Sequence, residues 1–190
     1  MATPKLAVIV GSNRRDSINR KLAVALGALA EGRFDVSFVR IDDLPIFNQD
    51  FESEPAAEVV RFKNEITGAD GILIVTPEHN RSIPAVLKNA IDWGTRPWGQ
   101  NSWAGKPVMV TGTSPGAMST ALGQQHLRSI LVALGTLVMG GEAYINFKPG
   151  LIDEAGRIAD DSTRKFLQGF LDQFATLVAR LAPMAARSAA

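Results

Sequence analysis

The sequence predicts an α/β domain, a parallel sheet with helices on both faces, and three observations carry that prediction. Four apolar, largely β-branched runs recur along the chain, at Leu6–Val10, Val36–Ile41, Gly71–Val75 and Val108–Thr111, with a weaker fifth at Thr136–Met139. They are near-continuous rather than alternating, which is the pattern of strands covered by helices on both faces. Segments with helical periodicity separate them, and strand–helix alternation of this kind builds parallel sheets.

The first strand, Leu6–Val10, runs into Gly11-Ser12, and a helix opens near Asp16 or Ser17, either of which is a good N-cap. That helix carries Leu22, Ala23, Leu26 and Leu29 on one face before Gly32 stops it. After the third strand Pro77 blocks continuation, and Pro84 suits the first position of a second helix that runs through Val86, Leu87, Ala90 and Ile91 to Trp93. A further apolar helix spans Thr120–Leu134 and contains His126, which reads as a packing or interface histidine. The last helix, from about Asp161, is the clearest. Phe166, Leu167, Phe170, Leu171, Phe174, Leu177, Val178 and Leu181 form a wide apolar stripe that must pack on the sheet. Five strands with interleaved helices leave two main topologies, and the flavodoxin-like order 2-1-3-4-5 suits this length better. In either, ligands bind beyond the carboxyl ends of the strands, so the informative loops follow strands one, three and four.

With 190 residues, 46% of them apolar, the chain is expected to form one domain over residues 1–190, frayed at Met1–Pro4 and in the small-residue tail after Pro183. The formal charge of +1, from 20 basic and 19 acidic residues, gives no field to gather nucleic acid or an anionic membrane, so neither is expected as a partner. A small molecule is. The absence of cysteine removes disulfides, thiolate metal sites, Fe–S clusters and cysteine nucleophiles, and any redox chemistry has to be borrowed from a cofactor. His79 and His126 lie far apart and no HExxH spacing occurs, so no metal site is expected. The segment MATPKLAVIV lacks the features of a secretory signal, and no run of about 18 apolar residues is present. A cytoplasmic protein is the expectation.

The loop after strand one offers Ser12, Arg14, Ser17 and Asn19 beside a helix N-terminus: two hydroxyls, a cationic fork and an amide within eight residues. Backbone N–H groups and the positive helix end converge there on an anion, as a phosphate monoester requires. The helix end contributes about 0.3–1 kcal/mol, up to about 2 when partly buried, so Arg14 and the hydroxyls must add the rest. Asn19-Arg20-Lys21 stands where a Walker A loop needs Gly-Lys-Ser/Thr, and no glycine follows Gly11 until Gly27, so neither that motif nor the Gly-x-Gly-x-x-Gly fingerprint is present. The same residues can also serve merely to cap the helix, with Arg14 and Arg15 in solvent.

In the loop after strand three, Pro77, Glu78, His79 and Asn80 can give a flat heterocycle a wall and in-plane donors and acceptors. Through these loops the chain resembles the NADPH-dependent FMN reductase family, which includes quinone, chromate and azo-dye reductases. The family motifs resemble GSNRRDSIN at Gly11–Asn19, PEHNRSIPAVLKNAIDW at Pro77–Trp93 and TSPGAMSTALGQQHLR at Thr113–Arg128, in order and at the right spacing. The likeness weakens beyond Glu142. One departure is His79, where the family usually has tyrosine, which leaves the flavin edge tuned differently.

The resemblance implies FMN, with its phosphate held at Ser12, Arg14, Ser17 and Asn19. Its ring would be flanked by Pro77–Asn80 and by Ser114, Gly116 and Ala117, where bulk would exclude it. It also implies NADPH or NADH as electron donor, a quinone-like acceptor (chromate, azo compounds or free flavin being others) taking the same slot in ping-pong fashion, and a homodimer or homotetramer. The cofactor carries the reaction, so no side chain is assigned an acid or base role. Two other classes remain open at this point: a flavodoxin-type electron carrier, which resembles strongly acidic proteins where this chain is nearly neutral, and a non-enzymatic flavin-binding redox sensor. Trp93, Trp98 and Trp103 are candidates for an interface or the border of a ligand slot, and Arg81 and Arg96 for a nucleotide phosphate, although solvated arginine is the commoner outcome.

Overall fold

Five strands lie in parallel in the computed structural model, which describes residues 2–188, with side chains through Leu181. They are β1 (Lys5–Val10), β2 (Asp35–Val39), β3 (Gly71–Val75), β4 (Pro107–Ser114) and β5 (Leu137–Val138), in the order β2-β1-β3-β4-β5 that the sequence predicts. Met1 and residues 189–190, at the outer ends of the segments expected to fray, lie outside the described residues, as do the side chains from 182 on. The helices are α1 (Ile18–Ala30), α2 (Ala57–Thr67), α3 (Ala85–Gly94), α4 (Ala121–Ala133) and α5 (Asp161–Ser188).

Alternate residues of the central strands enter two cores. Leu6, Val8 and Val10 of β1, Leu73 and Val75 of β3 and Met109 of β4 pack under α1 and α5 with Leu22, Leu26, Leu167, Leu171 and Phe174. Ala7, Ile9, Ile72, Ile74, Val108 and Val110 face the opposite side, against Phe62, Ile66, Leu87, Ile91, Leu127 and Leu131 of α2, α3 and α4. Each fully buried aliphatic side chain contributes about 1.5–3 kcal/mol, so these two layers dominate the fold's stability. They also fix the sheet so that the three candidate loops leave it at one end.

Local signals account for most element ends. Ser17 is the N-cap of α1, its side chain accepting from the Arg20 N–H at 3.2 Å, and Gly32, at φ +80°, follows the helix closely. Pro84 stands at the N-cap of α3, one position before the expected one. α2 is not singled out by the sequence because only Val59, Phe62 and Ile66 are buried on it, a stripe too narrow to stand out among charged neighbours.

The fifth strand is split. β5 keeps two residues, and a second segment, β6 (Tyr144–Asn146), pairs with the far half of β4, Gly112↔Tyr144 to Ser114↔Asn146. Between them the chain bulges away, and its carbonyls find side-chain donors. Arg128 of α4 donates to Met139 O at 2.8 Å and Gly141 O at 2.7 Å, while Thr111 Oγ1 at 2.8 Å and Gln124 Nε2 at 3.1 Å donate to Ala143 O. β6 has no strand-like run of its own in the sequence. It is held by bonds to β4 and extends the sheet at the end where the site lies.

Candidate functional site

The turn after β1 leaves the sheet at Gly11, whose N–H donates to Val75 O at 2.9 Å. A Cβ at Gly11 would collide with the Thr76 hydroxyl, so the glycine permits close approach of β1 and β3 at their carboxyl ends. Ser12 is half-buried, and its hydroxyl faces the Arg14 N–H at 3.4 Å. Arg14 is exposed, and its guanidinium makes no hydrogen bond or ion pair among the described residues. Ser17 is buried at the N-cap. A free guanidinium, two hydroxyls and an open helix end suit a phosphate monoester.

Asn19 is used differently. Buried to 1% exposure, it donates from Nδ2 to Thr113 O and accepts at Oδ1 from the Thr113 N–H, both at 2.9 Å. Its amide thus clasps the main chain of β4 from across 94 residues, which fixes the first loop against the third. Where the strands meet, a Cβ on Gly112 would collide with the Thr76 carbonyl oxygen and crowd the Thr120 hydroxyl. A glycine inside an apolar strand is the sequence signal for such an approach, and Gly112 carries it.

The loop after β4 exposes Pro115, Gly116 and Ala117. Its turn is internally bonded: Ser114 Oγ accepts from the Gly116 N–H at 3.2 Å, and Asn146 of β6 donates from Nδ2 to Gly116 O at 2.8 Å. Ser119, at φ +47°, donates its hydroxyl to Ile145 O at 2.7 Å. Small residues therefore line an open surface above β4, leaving room for a flat ring. Asn146 is a site-shaping residue with no local motif to reveal it.

The loop after β3 is braced on α4. Glu78 Oε2 accepts from the Gly123 N–H at 2.9 Å in the first turn of that helix, where a carboxylate is favoured, and Oε1 lies 3.3 Å from Arg81. His79 and Ser82 exchange both backbone hydrogen bonds at 2.9 Å around Asn80 and Arg81, whose φ values of +50° and +66° are those of a two-residue reverse turn. Ser82 Oγ then meets His126 Nδ1 at 2.8 Å. His126 is thus an exposed tie between α4 and this loop, not a core side chain. Pro77 is half-buried, while the His79 ring and Asn80 face outward. The N–H groups of Asn80 and Arg81 make no bond among the described residues.

Trp93 and Trp103 are core residues at 2% and 0% exposure, and Trp98 is exposed at 87%, so the three do not form one surface. Arg96 pairs with Glu52 at 3.3 Å and lies over the rings of Phe47 and Trp98. Arg81 is engaged by Glu78. Each of the two arginines thus has a carboxylate partner.

A 2-1-3-4-5 parallel sheet, with the turn after its first strand and the loops after β3 and β4 gathered at one end, defines a flavodoxin-like domain. Residues 4–150 match the NADPH-dependent FMN reductase family, and the chain belongs to it. It is 50% identical over 175 residues, 92% of this chain and 96% of the other, to a 2-hydroxy-1,4-benzoquinone reductase of Burkholderia sp. A quinone reductase of Pseudomonas putida is 47% identical, with 91% and 94% covered. Among solved structures, FerB, a flavoenzyme NAD(P)H:(acceptor) oxidoreductase from Paracoccus denitrificans, superposes with a TM-score of 0.90 at 46% identity, covering 93% of this chain and 98% of that one. The chain is an oxidoreductase of this family, and membership implies FMN and a nicotinamide nucleotide. No helix among the described residues is long and apolar enough to cross a membrane.

Proposed function

We propose that this enzyme uses NAD(P)H to reduce quinone-like acceptors through FMN held across the loops after β1, β3 and β4, with chromate, azo compounds and free flavin as further acceptors, in the cytoplasm. One observation carries the reading: Arg14, without a hydrogen bond or ion pair among the described residues, stands beside the Ser17 cap at a junction cleared by Gly11 and Gly112 and clasped by Asn19. Ser12, Arg14 and Ser17 bind the phosphate by charge-assisted and hydroxyl hydrogen bonds. Asn19 and Glu78 hold the loops in place. Pro77, the Asn80 turn and the small residues Ser114, Gly116 and Ala117 border the ring, and free N–H groups at Asn80 and Arg81 supply donors to its edge. When bound, FMN supplies hydride transfer from the nicotinamide to the acceptor. Donor and acceptor use the one open face in turn, which gives ping-pong kinetics.

The quinone relatives at 50% and 47% identity support the acceptor class. The deciding experiment records the visible spectrum of the purified protein and assays NADPH oxidation with benzoquinone before and after flavin removal. Flavin-dependent turnover with parallel double-reciprocal plots is expected; colourless protein that ignores added FMN would end the proposal. Met118, Leu122 and Val132, exposed on and beside α4, support a homodimer or homotetramer, and a monomer at micromolar concentration by light scattering would contradict that.

A further inference from the structure

A cleft of about 340 Å³ lies between the start of α1 and the end of β2, lined by Ser12, Arg20, Phe38, Arg40 and Asp42. Because β2 lies beyond β1 in the sheet, this cleft is on the side of Ser12 away from β3 and β4, and so from the surface assigned to the flavin ring. Its volume falls at the small end of the pockets of about 300–1,000 Å³ that hold small molecules.

Three features of its lining are unexplained by the proposed flavin site. Phe38 is 46% exposed, an aromatic ring on an edge strand that meets the helix at Gly27, where a Cβ would sit 3.4 Å from the ring. Arg20 is exposed and its guanidinium has no hydrogen bond or ion pair among the described residues. Arg40 bonds Asp42 at 2.8 Å, and this bond holds the Asp42 carboxyl below its usual range. Arg40 and Asp42 offset each other, and Arg20, whose charge also helps to lower the Asp42 carboxyl, makes no direct ion pair among the described residues, so its guanidinium donors are free for a ligand.

We propose that this cleft binds the adenosine 5′-phosphate group of a dinucleotide, with the purine on Phe38, the ribose hydroxyls on Asp42 and the phosphate on Arg20 beside Ser12. An exposed aromatic face stacks on a base, and a guanidinium binds phosphate by charge-assisted hydrogen bonds. A carboxylate just after the second strand of a β–α–β unit is well placed for vicinal ribose hydroxyls, the geometry by which dinucleotide folds read ribose. The proposal rests on the reading that places the FMN phosphate at Gly11–Asn19, because that phosphate then lies at the mouth of this cleft. The group belongs either to FAD, its flavin half in the FMN position, or to the NAD(P)H donor.

The test titrates 5′-AMP into the full chain saturated with FMN and reads binding by calorimetry. Sub-millimolar binding is expected, weakened about tenfold or more in Phe38→Leu, which keeps the apolar contact with α1 but loses the stacking face, and similarly in Arg20→Ala, while both variants retain FMN affinity. NADP+ displacing AMP from the FMN-loaded protein assigns the group to the donor, and FAD displacing FMN and AMP together assigns it to the flavin dinucleotide. No AMP binding with FMN in place, AMP that FMN displaces, or affinity unchanged in both variants overturns the proposal. If FMN itself does not bind, the reading of the first loop falls, and the proposal falls with it.

Discussion

The loops after β1 and β3 reach the same end of the sheet but are built in opposite ways. In the loop after β3 the polar groups are largely spent on the protein: Glu78 on Gly123, His79 on Ser82, Ser82 on His126. In the loop after β1 the backbone is anchored at Gly11 and Asn19, while Ser12 and Arg14 between them stay available. A ring needs a wall that does not move, and a charged tail needs donors that are not already satisfied. Stiffness and availability are therefore divided between the two loops, and substitutions in each should fail differently, in stability for one and in affinity for the other.

Gly112→Val attacks the scaffold both loops share. Its side chain would be driven into the Thr76 carbonyl, and a loss of about 3 kcal/mol or more is expected, read as a lower urea midpoint. Asn19→Ala comes next. It leaves the buried Thr113 N–H and carbonyl without their partners, at about 1–3 kcal/mol, and FMN affinity should fall with stability. Arg14→Ala separates the two quantities: FMN affinity should drop about ten- to a hundredfold, for loss of a charge-assisted bond of about 1.5–3 kcal/mol, with the urea midpoint unmoved. Unchanged affinity would show that the phosphate is not at this loop. Glu78→Gln should cost least, about 0.3–1 kcal/mol, because the amide still accepts from Gly123 but loses its charge at the α4 N-terminus. A large loss of FMN from that variant at full stability would mean that Glu78 touches the flavin directly.

The strands and their order were legible because buried parallel strands write continuous apolar runs, and Ser17 and Gly32 mark α1 by local chemistry. β6 was not, since Tyr144–Asn146 is held by pairing to Gly112–Ser114 and by the Thr113 and Ser119 hydroxyls on Ile145 O, after a stretch whose carbonyls take donors from Thr111, Gln124 and Arg128. At the site, the sequence pointed to residue types that bind phosphates and line rings. It could not show that Asn19 closes on Thr113, 94 positions away, or that Glu78 reaches Gly123, 45 positions away. The same residue types serve for binding and for bracing, and only tertiary contact tells which.

The clasp between Asn19 and Thr113 has a consequence for ligand length. It sets the gap between the turn proposed to hold the phosphate and the β4 loop as a fixed gauge, and on that proposal the linker of the occupant has to match it. A flavin whose chain is one carbon longer or shorter would keep its head or its tail in place, not both.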